Sequence, residues 1–199
     1  MKIIVIGAAG TIGTAVVEEL GRRHDIVAVG KSRGQYQADM TDYAQVQALF
    51  GKVGKADAVV VAAGIMALEP LAGMTPERFR VGLNSKLMGQ VHVALAAQHA
   101  LNDGGSITLT SGIDVYHPIR HAANAVTSNA AVEGFVRGAA IELARGIRIN
   151  AVTPGLLTES KEAYGHLFPG FETVPARRVA LAYARSVEGA QTGQIYKVW

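Results

Sequence analysis

Apolar residues along the chain fall into two alternating patterns. Ile3–Ile6, Asp25–Val29, Asp57–Val61, Ser106–Thr110 and Ile147–Val152 are short runs rich in apolar and β-branched residues. Such runs predict strands buried on both faces. Between them apolar residues recur every three or four positions, as an amphipathic helix requires. Gly10–Leu20 carries Ile12, Val16, Val17 and Leu20 at that spacing. An N-cap at Thr41 predicts a helix through Phe50 with Val46, Leu49 and Phe50 inward. A long helical stretch is expected from Thr75 to Leu101, with Pro76 at its start. Further helices are expected over Ala122–Ala144 and Pro175–Val187. A short extended piece ending at Asp39 and a closing strand over Gln194–Val198 complete the order. Strands that alternate with helices predict an α/β fold. We expect one Rossmann-like, doubly wound parallel sheet of about seven strands with helices on both faces. No repeat or linker divides the chain, so residues 1–199 read as a single domain.

Composition narrows the function classes. Hydrophobic residues make up 49% and charged residues 18%, enough apolar matter for a sizeable core and too little charge for a disordered chain. There is no cysteine, which excludes disulfides, thiol catalysis and Cys-ligated zinc and fits a cytoplasmic address. No metal site is expected. Nineteen basic residues against sixteen acidic ones give a net charge of +3, with no Lys/Arg block. That balance does not predict a nucleic-acid surface and suits a small anionic ligand better. The uncharged run Ala58–Leu68 is far short of the roughly 20 residues that span a bilayer, so no membrane partner is expected. Lys2 followed by Ile3–Val17 imitates a signal peptide, but Gly7, Gly10 and Gly13 interrupt it.

Those three glycines sit between the first strand and the first helix, in Gly7-Ala8-Ala9-Gly10-Thr11-Ile12-Gly13. Small residues at such a turn let the backbone approach a pyrophosphate, and the helix N-terminus offers it free amides and a positive dipole end. The second strand ends in Gly30-Lys31-Ser32-Arg33. An NAD enzyme usually places an acid near this point for the ribose hydroxyls. Two cations and a hydroxyl suit a 2′-phosphate instead, so NADP (as NADPH) is the expected cofactor.

With these motifs in order, the chain resembles the short-chain dehydrogenase/reductase family over nearly its whole length. Asp39-Met40-Thr41-Asp42 resembles the family's turn at adenine, and Ala62-Ala63-Gly64 its Asn-Asn-Ala-Gly motif with both asparagines replaced. Asn84 is similar to the helix asparagine, and Thr108-Leu109-Thr110-Ser111 to the strand that ends in the catalytic serine. The segment Ile149–Gly155 resembles the one that reaches the nicotinamide. The resemblance implies cofactor contacts at Gly7, Ala9, Gly10, Thr11, Ile12, Gly13, Asp39, Met40, Ala62, Ala63, Gly64, Asn84 and Thr110. It adds Asn129, Pro154, Gly155, Leu156 and Leu157, while Thr158 falls one position early for the family's nicotinamide threonine.

The family's Tyr-x-x-x-Lys is absent. Ala130-Ala131-Val132-Glu133-Gly134-Phe135, the text that usually follows it, places Ala125 at the tyrosine and Asn129 at the lysine. Ala125 has no proton to give and Asn129 no charge with which to tune one, so another donor is required. Ser111, Tyr116, His117 and His121 are the candidates that the residues offer, the histidines because they titrate near neutrality. A substrate lid is expected over 156–175, where Tyr164–Phe171 mixes apolar side chains with Gly and Pro. The expected function is an NADP-dependent oxidoreductase acting on a small carbonyl or alcohol compound with a non-standard proton donor. The competing reading is a non-catalytic NADP-binding sensor or subunit. A homo-oligomer is expected through the two long Ala-rich helices (Ala94, Ala96, Ala97; Ala130, Ala131, Ala139, Ala140).

Overall fold

The computed structural model describes all 199 residues. Seven parallel strands form one sheet: β1 (Lys2–Ile6), β2 (Asp25–Gly30), β3 (Tyr36–Gln37), β4 (Ala56–Val61), β5 (Leu101–Thr110), β6 (Arg148–Pro154) and β7 (Ile195–Val198). Their order is β3-β2-β1-β4-β5-β6-β7. The chain runs outward from β1 in one direction and from β4 in the other. A crevice therefore opens beyond the carboxyl ends of these two strands, the switch point where such sheets bind ligands.

Strand side chains alternate between two cores. Ile4, Ile6, Val59 and Val61 pack with helices α2 (Tyr43–Val53), α4 (Gln90–Ala100) and α5 (Ala123–Ala139). Ile3, Val5, Ala58 and Val60 pack on the other face with α1 (Thr11–Leu20) and α7 (Ala176–Glu188). Burial on both faces is why these strands read as continuous apolar runs. No helix is long and apolar enough to cross a membrane.

Three local outcomes differ from the sequence reading. The N-cap of α2 is Asp42, which accepts from Ala44 N at 3.0 Å and Gln45 N at 3.2 Å, whereas Thr41 donates its hydroxyl to Asp39 at 2.8 Å. The helix expected from Thr75 to Leu101 is interrupted. Thr75 caps α3 (Pro76–Gly82), a π-helical turn follows over Leu83–Gly89, and α4 completes it. Lys86 and Gly89 are the buried residues of this turn. The helix expected through Ala144 ends at Ala139, residues 140–142 form turns, and Arg145 and Gly146 take left-handed backbone conformations before β6.

Candidate active site

A cavity of about 410 Å³ lies at the carboxyl ends of the central strands. Its walls are largely apolar: Ile12 from α1, Ile65, Met66 and Leu68 beyond β4, Ile113 and Ile119 beyond β5, and Leu156 and Leu157 beyond β6. The chain then makes an excursion that includes the short helix α6 (Lys161–Tyr164), and Tyr164 and Phe168 reach back to the cavity. Its base is pinned where Leu157 pairs with Val174, and Thr158 N donates to Val174 O at 3.0 Å.

Ile12 brings the glycine turn to the cavity. Gly7 has φ +84°, and a Cβ there would lie 2.5 Å from Ala62 O. A Cβ on Gly13 would lie 1.9 Å from Gly7 O, so only glycine lets the first turn of α1 close on β1. Gly10 is the N-cap and supplies no side-chain cap. Ala9, Gly10 and Thr11 are exposed, which leaves the first amides of α1 open to a ligand. Ala62, Ala63 and Gly64 lie partly exposed across from this turn. Lys31, Ser32 and Arg33 are exposed at the end of β2. Lys31 already pairs with Asp39 at 2.7 Å. Hydrogen bonds from Lys31 and then Thr41 hold the Asp39 carboxyl well down, at about 2. Met40 is buried under Gly89, and its carbonyl accepts from His92 Nδ1 at 3.1 Å.

The deep end of the cavity is polar. Lys86, only 6% exposed, lines it together with Asp114 and Asn129. Asn129 donates its amide to Asp114 at 2.8 Å, and its own Oδ1 is buried with no partner. Lys86 Nζ makes neither a hydrogen bond nor an ion pair within the chain. Burial lowers its pKa to about 8, against the opposing charge of Asp114. Burial likewise pushes the Asp114 carboxyl up, opposed by Asn129 and Lys86. Gly64, at φ +139°, makes room for this lysine, since a Cβ there would lie 2.7 Å from Lys86 Cδ. Gln90 fixes the turn from behind, donating to Lys86 O at 2.8 Å and Thr110 O at 2.9 Å and accepting from Thr110 N at 2.8 Å.

Ser111 and Thr110 also line the cavity, but the Ser111 proton is engaged. Four donors converge on the buried Glu133 carboxylate: Tyr116 OH at 2.6 Å, Ser111 Oγ at 2.9 Å, Thr153 Oγ1 at 3.0 Å and Arg137 at 3.4 Å. Burial, then the hydrogen bond to Glu133, raises the Tyr116 phenol above its ordinary pKa. Its ring lies under Lys197 Nζ at 3.6 Å, away from the cavity lining. His117 is exposed and packs edge-on against Trp199 and Phe171. His121 is exposed with φ +65° on a separate shallow surface beside Leu71 and Pro118. Ala125 and Asn129 do line the cavity, as do Pro154, Gly155, Leu156 and Leu157. Asn84 is exposed and is not among the lining residues, whereas Lys86, two positions on, is.

The family model described as enoyl-(acyl carrier protein) reductase matches residues 7–191. The chain belongs to the short-chain dehydrogenase/reductase family. Curated relatives of that family include the hydroxynaphthalene reductase arp2 of Aspergillus fumigatus, 29% identical over 76% of this chain and 64% of its own length. The chain thus spans just under two thirds of that relative. The 3-oxoacyl-[acyl-carrier-protein] reductase MabA of Mycobacterium bovis is 29% identical over 89% of this chain and 79% of its own length. Among solved structures, the protein lin1944 from Listeria innocua superposes with a TM-score of 0.99 at 44% identity, covering both chains fully. A small-chain dehydrogenase in complex with NADPH superposes with a TM-score of 0.88 at 25% identity, covering 100% of this chain and 96% of the other. The family uses nicotinamide cofactors.

Sequence reasoning passed over Lys86 and Glu133. The signal for Lys86 was its place four residues after Gly82, three before Gly89 and seven before Val93, a cation on a face otherwise made of small and apolar residues.

Proposed function

We propose that this protein is an NADP-dependent oxidoreductase that reduces a small carbonyl compound, or oxidises the matching alcohol, with a proton donor other than the Tyr-x-x-x-Lys pair. One observation carries the reading: Ile12, in the first turn of α1 beside its exposed, uncapped N-terminus, lines the same cavity as Lys86, Ser111 and Asn129. The residues fit a dinucleotide. The Gly7–Gly13 turn would back the diphosphate, and Lys31, Ser32 and Arg33 would meet a 2′-phosphate. Asp39, Met40 and Ala62–Gly64 would flank the adenosine, Asn129 the ribose, and Pro154–Leu157 the nicotinamide, which supplies hydride when bound. The NADPH complex of a structural relative supports the choice of NADP. Curated relatives that are reductases by name support carbonyl reduction as the direction.

In this reading the 156–175 excursion is a lid, because Tyr164 and Phe168 cover the cavity from a hinge at Leu157 and Val174. A homo-oligomer through the long helices is also proposed. Ala94, Ala96 and Ala97 are covered by the chain's own core, so α4 would offer Leu95 instead, while Ala130 is exposed and Ala131, Ala139 and Ala140 are partly exposed on and just beyond α5. Light scattering that finds only monomer would remove this part.

The second reading, a non-catalytic NADP sensor or subunit, draws on the engagement of Ser111 and Tyr116 with Glu133. A panel of ketones, aldehydes and quinones followed by NADPH absorbance separates the two. Oxidation of NADPH with at least one carbonyl is expected, and binding without oxidation across the panel would favour the sensor.

A further inference from the structure

We infer that Lys86 is the proton donor of this site, delivering an ammonium proton to the oxygen of an apolar carbonyl substrate. The inference rests on the oxidoreductase reading above and adds the catalytic residue that it lacks.

Ser111 gives its single proton to Glu133, with the Asn129 carbonyl as a second, weaker acceptor at 3.3 Å. Thr110 donates its hydroxyl to Val61 O, and Asn129 gives its amide to Asp114. The orphaned Asn129 Oδ1 can only accept. Asp114 accepts from Asn129 and faces a cation, the environment of a carboxylate, which has no proton to give, so Lys86 remains, its three N–H bonds without an acceptor in the chain. Lys86 is buried along its stem, and its ammonium, unpaired within the chain, opens on the cavity, where a ligand oxygen can accept from it. The fold also positions it. Lys86 is a buried residue of the π-helical turn, Gly64 leaves room for its stem, and Gln90 ties its backbone to Thr110 beside Ser111.

The chemistry balances. A reduced nicotinamide held by Pro154–Leu157 would supply hydride to the carbonyl carbon, and the C=O electron pair would pass to oxygen. One Lys86 N–H bond breaks as the O–H bond forms, and the neutral amine recovers a proton from water. A cavity that lowers the ammonium pKa to about 8 makes it a stronger acid than an ordinary lysine while leaving it largely charged at neutrality. Asp114 is a positioning residue here, and it is the one charged side chain acting on Lys86. Its charge keeps the proton on Lys86.

Two readouts test this. In the cofactor-free protein at about pH 8, butanal with cyanoborohydride forms and then reduces an imine on unprotonated lysines. Peptide mass spectrometry should find Lys86 alkylated roughly a hundredfold faster than an ordinary surface lysine, and saturating NADPH should suppress this. In steady-state assays with a carbonyl from the panel, Lys86→Met should lower kcat by about a hundredfold or more with NADPH affinity nearly unchanged. Asp114→Asn should move the alkaline limb of the kcat profile to lower pH. Lys86→Met that keeps wild-type kcat, or Lys86 labelled no faster than surface lysines, overturns the assignment and leaves the oxidoreductase reading standing. Wild-type protein that oxidises no NADPH with any carbonyl overturns both.

Discussion

Glu133 is the residue on which the most hydrogen bonds around the cavity depend. It is 1% exposed and receives protons from two strand ends and a loop. Replacing it with alanine strands three hydroxyls in a buried space, and each unsatisfied group costs about 1–3 kcal/mol. Glu133→Ala should therefore lower the urea midpoint by the equivalent of about 3 kcal/mol or more. Glu133→Gln should lose less, because the amide oxygen still accepts. Gly64→Ala should also destabilise, by about 1–3 kcal/mol, since it forces a left-handed residue against the Lys86 stem. Neither Glu133 nor Gly64 announces this role in the sequence. Glu133 reads there as one polar position on an amphipathic helix, and its partners lie 17 to 22 residues away along the chain.

At the scale of elements, legibility followed periodicity. Strands buried on both faces leave unbroken apolar runs, so β1, β2, β4 and β6 were readable to within a few residues, whereas β5 starts at Leu101, five residues before the expected Ser106. The glycine turn was readable because its spacing reflects a contact inside one strand–helix unit, Gly13 against Gly7. The Leu83–Gly89 turn was not. It is flanked by tertiary neighbours, Asn124 and Ser128 against Gly82 and Met40 against Gly89, which periodicity does not register. Asn84 and Lys86 accordingly trade places between expectation and structure. Two predictions belong at this scale. Gly13→Ala should abolish NADPH binding in calorimetry while the far-ultraviolet circular dichroism stays helical, because the added methyl displaces the turn that would back the diphosphate. Arg33→Ala should weaken NADPH more than NADH, by about tenfold for a lost charge-assisted hydrogen bond, in parallel titrations.

Across the whole molecule, Lys86 couples the site to stability. Its pKa is depressed in the fold from 10.5 to about 8, so the neutral form is favoured there. The folded chain sheds that proton first, and its stability rises with pH between those values. The contribution is complete above about 10.5 and is lost as the pH falls through about 8. Urea melts of wild-type protein and Lys86→Met across this window should converge by on the order of 3 kcal/mol toward alkaline pH. Taking the difference removes Tyr116, Tyr183 and Tyr196, whose raised values act in the opposite direction in both proteins. Parallel curves would mean that Lys86 is solvated in solution. The measurement closest to the central claim is calorimetric titration of the protein with NADPH and NADH. One NADPH per chain, bound at least about tenfold more tightly than NADH, is the expected result. No heat with either dinucleotide at millimolar concentration would contradict the account.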